Sequence, residues 1–322
     1  VSRLRRSSTQ EPGIRRVRKG KGFAYLLDGS PVDAETRARA AALAIPPAWA
    51  DVWICADARG HLQAVGTDDA GRQQYLYHAD WRARRDVAKF ERMLRFADAL
   101  PAARRRVSAH LRDTDPSRRR ALACAVRIMD TALVRVGGEQ YARTSGSRGL
   151  ATMPCSAVTI GRDEVRLVFR GKSGVEHDLH LRDAALVRAL RPLAARCEGS
   201  ARDRPLLAYR DGSSWRRVGS ADINAYVKEV VGEEFTAKDF RTWHATVVAA
   251  EELARWERPA SARALSAATK AASLRAAELL GNTPTVARNA YIDPRLFESF
   301  ARRGIDRTPG QSPEALVRAL LG

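Results

Sequence analysis

Lysine is nearly missing from this chain of 322 residues: seven of its 56 basic residues are lysine and 49 are arginine. Methionine is scarce too, at three, and aromatic residues make up 7%. No apolar run approaches the roughly 20 residues that a membrane-spanning helix needs, which argues against a membrane protein. The four cysteines, Cys55, Cys124, Cys155 and Cys197, stand far apart with no Cys-x-x-Cys pair. That spacing points to neither a disulfide framework nor a zinc site and fits a reducing cytosol. His177 and His180 lie three apart in an expected strand, where that spacing puts side chains on opposite faces, so no shared metal is expected. The first residues, Val-Ser-Arg-Leu-Arg-Arg, have the charge of a secretion signal, but no apolar segment follows them. The expectation is a soluble, unsecreted, cytoplasmic protein with neither metal nor cofactor.

What is abundant is positive charge, with a formal net charge of +19 and a pI near 10.7. Cations that neutralise phosphates release condensed counterions, so a nucleic-acid partner is the simplest reason for such a surplus. A solvated basic surface from an arginine-rich organism would give the same composition. The few lysines carry information because lysine can serve as an acid at usable pH and arginine cannot.

Residues 1–20 are basic and poor in apolar side chains, which reads as a flexible arm. From Phe23 to about Tyr77, short apolar runs alternate with turn residues, indicating an antiparallel sheet with one helix near 33–43, closed by Pro46-Pro47. Beyond about 81, Ala, Leu and Arg recur at helical spacing over 81–100, 102–112 and 116–136, with Pro101 and Pro116 as punctuation. Val165, Leu167 and Phe169 alternate with polar neighbours, Gly171–Gly174 makes a turn, and Val175–Leu181 returns as a hairpin within a helical domain. The expected fold is therefore α+β. A small N-terminal antiparallel sheet domain (21–82) precedes a mainly helical catalytic domain (83–322), with a boundary and linker near 80–85.

Breaking a phosphodiester by transesterification requires an in-line nucleophile, cations on the non-bridging oxygens and an acid for the departing sugar oxygen. The candidates are dispersed. Arg135 stands on an apolar helix just before Gly137-Gly138. Arg241 lies in Lys-Asp-Phe-Arg-Thr-Trp, and Lys172 in the hairpin turn. In the segment 281–294, Thr283-Pro284 is a helix start and Pro294 a stop, which puts Asn282 and Tyr291 near opposite ends of a short helix. Taken singly, these could be a snorkelling arginine, a salt-bridged arginine, a solvated turn lysine and a core tyrosine.

As an ordered set, Arg135, Lys172, Arg241, Asn282 and Tyr291 resemble the Arg-Lys-Arg-His-Tyr constellation of poxvirus and bacterial type IB DNA topoisomerases. Local contexts agree: Arg-Val-Gly at 135–137, Gly-Leu-Ala-Thr at 149–152, Gly-Lys-Ser-Gly at 171–174, and Gly-Asn-Thr-Pro ending in Ala-Tyr-Ile. In the first domain, Pro-Pro-Ala-Trp, Gly-His-Leu-Gln-Ala and Gly-Arg-Gln-Gln-Tyr-Leu-Tyr resemble the bacterial branch. The likeness runs from about Arg15 to Phe300 and implies the fold of DNA breaking-rejoining enzymes.

The resemblance implies that Tyr291 attacks phosphorus and becomes joined to a 3′-phosphate, releasing a 5′-hydroxyl, without metal or ATP. Arg135 and Arg241 would hold the non-bridging oxygens, Lys172 would be the general acid, and Lys238 matches a lysine that assists proton transfer. Gln74, Tyr75, Tyr77 and Tyr141 match residues that touch DNA. The implied partner is double-stranded DNA of the bacterial nucleoid, held by a monomer whose two domains close as a clamp about a hinge near 80–85. Two departures stand out: Asn282 replaces the usual histidine, and Gly138 replaces a DNA-contacting lysine of the poxvirus relatives. A tyrosine recombinase is the nearest rival, but its usual histidine would fall at 238, where Lys238 stands. A DNA-binding protein with a decayed site is the other.

Overall fold

The computed structural model describes residues 3–197 and 202–322, apart from the side chain of Tyr141. The chain divides into two compact units, one ending at Phe90 and the other running Glu91–Gly322.

In the first unit, β1 (Gly13–Lys19), β2 (Gly22–Leu27), β3 (Ser30–Pro31), β4 (Ala50–Cys55), β5 (Leu62–Thr67) and β6 (Gln73–Tyr77) form an antiparallel sheet in the order β3-β2-β1-β4-β5-β6. Helix α1 (Ala34–Ala42) starts at Asp33, whose carboxylate accepts from the Thr36 amide at 2.7 Å, a strong N-cap. The alternation of strand side chains sorts the two faces. Ile14, Val52, Ile54 and Ala64 pack with Ala40 of α1 on one side. Trp53, Cys55, Leu62 and Val65 form a second cluster with Tyr77.

The flexible arm expected over residues 1–20 is not found. Residues 13–19 are strand β1, paired on one side with β2 and on the other with β4. Upstream, Arg5 bridges to Gly60, and the Ser7 hydroxyl both donates to the Leu62 carbonyl at 3.0 Å and accepts from its amide at 3.1 Å. This docking uses backbone and hydroxyl hydrogen bonds, which a hydropathy pattern does not register. Gly13 permits it sterically, because a Cβ there would overlap the Trp53 indole. Arg16 likewise serves the fold, donating to the carbonyls of Ile45, Pro46 and Trp49.

Helix α2 (Ala79–His110) begins in the first unit and runs on into the second. Residues 80–85, expected as linker and hinge, lie inside it. The helix also passes through Pro101 without a break, although an interior proline forfeits a hydrogen bond. Leu100, Ala103 and Val107 are buried around it, and that packing holds both halves in one helix.

The second unit continues with α3 (Arg118–Ala132), α4 (Glu139–Ser145), β7 (Val158–Ile160), β8 (Glu164–Arg170), β9 (Glu176–Arg182) and α5 (Ala184–Ala195). It ends with β10 (Ala208–Asp211), β11 (Ser214–Arg217), α6 (Ser220–Val231), α7 (Ala237–Leu253), α8 (Ala262–Leu280), α9 (Pro284–Tyr291), α10 (Pro294–Arg303) and α11 (Pro313–Leu321). The expected hairpin is present as β8 and β9, with β7 added at its edge. The β10–β11 hairpin is one the sequence pattern did not reveal. Cys155 and Cys197, expected to be independent, are joined as a disulfide with Cα atoms 6.1 Å apart. The segments 153–156 and 202–206 run side by side, through Leu206 N to Met153 O (2.7 Å) and Cys155 N to Arg204 O (2.9 Å). That pairing brings together cysteines that are distant in sequence.

Asp130, near the end of α3, ties four helices together. Its carboxylate accepts from Arg104 of α2 at 2.7 and 3.0 Å and lies 2.9 Å from His244 Nε2 of α7. Arg104 also grips Glu314 of α11 at 2.7 Å. Burial alone would raise the Asp130 pKa, but the His244 and Arg104 bonds prevail and lower it to about 2. Because the folded value lies below the unfolded one near 3.9, this stabilisation is complete above pH 4 and disappears as pH falls through about 2. Asp130→Asn should therefore cost about 2 kcal/mol at pH 7. In urea unfolding at a series of pH values, the gap from wild type should narrow between pH 4 and 2.

Candidate active site

The second unit gathers Arg135, Lys172, Lys238, Arg241, Asn282 and Tyr291 from five separate stretches of chain. The gathering starts with Arg241 on α7, which is only 6% exposed. Its guanidinium donates to the Leu133 carbonyl at 2.6 Å and to the Leu280 carbonyl at 2.8 Å. These carbonyls sit at the C-terminal ends of α3 and α8, where unpaired oxygens and the helix dipole favour a cation. Two residues beyond each carbonyl stand Arg135 and Asn282, so one buried side chain sets both positions.

Arg135 does not lie on the helix, as its apolar context suggested. The α3 helix ends at Ala132, Leu133 turns left-handed (φ 53°), and Arg135 follows in an irregular stretch. A crossing of two glycines fixes this stretch. A Cβ on Gly149 would come within 2.6 Å of the Arg135 carbonyl oxygen and of Gly137 Cα. Leu150 N and Ala151 N then donate to the carbonyls of Arg135 and Val136 at 3.0 and 2.8 Å. The Arg-Val-Gly and Gly-Leu-Ala-Thr motifs are thus two halves of one close backbone contact, which only glycine admits.

Asn282 follows the left-handed cap Gly281, and its amide donates to the Ala277 carbonyl at 3.0 Å, closing α8 in a Schellman-type turn. Its side-chain oxygen accepts from Arg135 Nη2. Its Nδ2 and the Nε of Arg241 are buried without a hydrogen-bond partner. Unmet donors of this kind are costly in a folded protein unless something fills the site. Thr283 caps α9 with Pro284 at its first position, as expected, and Tyr291 is the last residue of that helix. Pro294, expected only as a stop, opens α10 behind the Asp293 cap. The Thr246 hydroxyl of α7 accepts from the Asp293 amide at 3.2 Å and shares its one proton between the carbonyls of Thr242 at 3.1 Å and Tyr291 at 3.3 Å, which places it against the backbone beside the tyrosine.

The half-buried Tyr291 ring has the Arg241 guanidinium 5.4 Å and the Lys238 ammonium 5.7 Å from its centre. Burial would raise the phenol pKa, but the charge of Arg241, a side-chain hydrogen bond with it, and the charges of Lys238 and Arg135 outweigh it and lower the value below 10. Conversely, desolvation and the charge of Arg135 bring Arg241 down to about 10. Lys172 is exposed in the turn between β8 and β9, where Ser173 and Gly174 both take positive φ. It lines a small cleft shared with Arg135, Arg148, Arg241 and His177.

Sequence reasoning missed His177, which it treated only as an improbable metal ligand, and it missed Thr246. The alternation in β9 places His177 on the same face as Leu179, and that was the available signal for His177. Gln74, Tyr75 and Tyr77 belong to the first unit. There Tyr75 is 48% exposed and stacks on Tyr77 with centroids 6.3 Å apart, while Gln74 donates to Asp68 at 2.9 Å. The side chain of Tyr141 lies outside the described residues.

Of the seven tyrosines, Tyr291 should therefore ionise below the usual value near 10. An ultraviolet titration of wild type minus Tyr291→Phe should isolate one such phenol. Lys238→Ala should move it upward, because losing a cation disfavours the phenolate. An unchanged midpoint in Lys238→Ala would contradict this electrostatic account.

Comparison with known proteins places the chain in a family. Residues 78–301 match the family model described as eukaryotic DNA topoisomerase I, catalytic core, and residues 22–68 match the bacterial DNA topoisomerase IB N-terminal domain. The chain is 29% identical over 289 residues to the DNA topoisomerase 1B of Acanthamoeba polyphaga mimivirus, covering 87% of this chain and 85% of that protein. It is 21% identical over 250 residues to the monkeypox virus DNA topoisomerase I and to the DNA topoisomerase 1B of vaccinia virus, covering 75% of this chain and 73% of each. Among the described residues no helix is long and apolar enough to cross a membrane. With the catalytic-core match spanning more than half of its length, the chain belongs to the type IB DNA topoisomerases.

Proposed function

We propose that the chain relaxes supercoiled double-stranded DNA by cutting and rejoining one strand through Tyr291. The observation that carries this reading is the half-buried Tyr291 ring with the Arg241 guanidinium 5.4 Å and the Lys238 ammonium 5.7 Å from its centre, cations that lower the phenol pKa. In the cutting step the Tyr291 Oη–P bond forms and the P–O5′ bond breaks. The phenol proton passes to solvent, and Lys172 gives a proton to the departing 5′-oxygen. Arg135 and Arg241 stabilise the non-bridging oxygens, since forked guanidinium donors suit phosphate geometry.

Arg241 spends one donor on each of two carbonyls and bonds to Tyr291 as well, while its buried, unpartnered Nε is left for phosphate. The buried, unpartnered Nδ2 of Asn282 supports a third hydrogen bond to phosphate. It is a neutral donor where the viral enzymes carry histidine, and it cannot act as an acid. Lys238 assists proton transfer. The phosphotyrosine keeps the energy of the broken bond, so rejoining is the reverse reaction and needs neither ATP nor metal. Rotation of the free end between the two steps removes superhelical tension.

The net charge of +19 supports tight, salt-sensitive backbone binding. The Tyr75–Tyr77 pair, Gln74 and Tyr141 are read as further DNA contacts, and the working form as a monomer.

Plasmid relaxation in EDTA without nucleotide tests the proposal. Wild type should relax both positive and negative supercoils, Tyr291→Phe neither. Lys172→Ala should cut more slowly by roughly 10² to 10⁴, the usual worth of a general acid. Wild type that binds plasmid but leaves it supercoiled would overturn the reading in favour of recombination or binding alone.

A further inference from the structure

The imidazole of His177 occupies an unusual position between the two parts of the site that must meet. It stacks on Phe169 of the neighbouring strand, with centroids 4.8 Å apart and planes 19° from parallel. One edge faces Gly171: a Cβ there would come within 2.7 Å of Nε2. Another faces Gly281: a Cβ there would come within 2.7 Å of Cε1. Gly171 immediately precedes Lys172, and Gly281 immediately precedes Asn282. The ring therefore fills the gap between the lysine turn and the corner joining α8 to α9, and both backbones approach it as only glycine can.

Within the turn, Gly171 N donates to Val175 O at 2.7 Å, Gly174 N to Gly171 O at 3.2 Å and Val175 N to Lys172 O at 3.5 Å, and beside it Arg148 N donates to Arg170 O at 2.8 Å. Toward the corner joining α8 to α9, the contacts are those of the His177 ring and Val175. The Lys172 side chain has no hydrogen bond or ion pair among the described residues, and two successive left-handed residues follow it. Val175 is the companion contact, with Cγ1 3.7 Å from the place a Gly281 Cβ would take. The His177 imidazole has no hydrogen-bond partner among the described residues either, and it faces the same cleft as Arg135 and Arg241. Burial and those two guanidinium charges lower its pKa, so the ring is neutral at physiological pH and adds no cation to an already crowded site.

We propose that His177 is a positioning residue for the general acid: its ring, wedged between Gly171 and Gly281, holds the Lys172 turn in register with the Asn282 corner. The proposal rests on the reading of Lys172 as the acid. A misplacement of about 1 Å at a reacting group can cost on the order of 10²-fold in rate. Loss of the wedge should therefore slow the step that needs the lysine proton and leave other steps near normal.

The test is single-turnover cleavage of two duplexes carrying a site mapped beforehand with wild type. They differ in one atom, the 5′-bridging oxygen or a sulfur in its place. A thiol ionises near 8.5, so a 5′-thiolate departs without a proton and bypasses the acid. On the oxygen duplex, His177→Ala should cut about 10- to 100-fold more slowly, a smaller loss than in Lys172→Ala. On the sulfur duplex both variants should cut at close to the wild-type rate. If His177→Ala is equally slow on both duplexes, the ring supports the whole site or its folding rather than the acid, and the proposal falls. It falls also if His177→Ala cuts the oxygen duplex at the wild-type rate. If Lys172→Ala is itself not rescued by sulfur, the acid assignment fails and this inference fails with it, whereas rescue of Lys172→Ala alone rejects only the role of His177.

Discussion

A single buried guanidinium organises the catalytic unit. Arg241 is almost fully removed from water, and its charge is met by the carbonyl ends of α3 and α8 rather than by a carboxylate. A carboxylate there would neutralise the site. Carbonyls satisfy the donors and leave the positive charge in place. The cost is visible in the lowered pKa of Arg241, and the surrounding packing of α7 carries it. Placing Arg241 fixes the end of α3, hence Arg135, and the end of α8, hence Asn282.

From that point the electrostatics follow. Arg241, Lys238 and Arg135 oppose the burial of Tyr291 strongly enough to favour its phenolate. In the proposed mechanism the same cations meet the extra negative charge of a phosphorane-like transition state, so one field would serve nucleophile and phosphate alike. The buried, unpartnered donors on Arg241 and Asn282 lie within the same field. Asn282 takes a bond from Arg135 on its oxygen, and its buried amide nitrogen is an unpartnered donor.

Much of the site could be read in the sequence because each residue sits in a short local motif. Thr283-Pro284 is a helix start by its own chemistry, and Gly171–Gly174 is a turn by its own chemistry. What could not be read depends on contacts between distant segments. Gly137 and Gly149 look like separate loop glycines until their backbones cross. Residues 5–19 look disordered because their anchoring is by hydrogen bonds, through Ser7 and the β1 ladder, rather than by apolar burial. Pro101 looks like a helix end, yet the buried neighbours Leu100 and Ala103 hold α2 together. Cys155 and Cys197 are joined only because the segments near 154 and 204 run together. His177 had no motif of its own, and its role shows only in the two glycine backbones pressed against its ring.

The central claim is a covalent bond between Tyr291 and the 3′-phosphate of a cut strand, and isolating that bond tests it most directly. DNA labelled separately at each end would be cut by wild type, denatured at once, and digested with protease to leave the attached peptide for mass spectrometry. The account predicts one peptide, carrying Tyr291, joined to a 3′-phosphate, with a free 5′-hydroxyl on the other fragment. Attachment to a 5′-phosphate, or to any residue other than Tyr291, would contradict it.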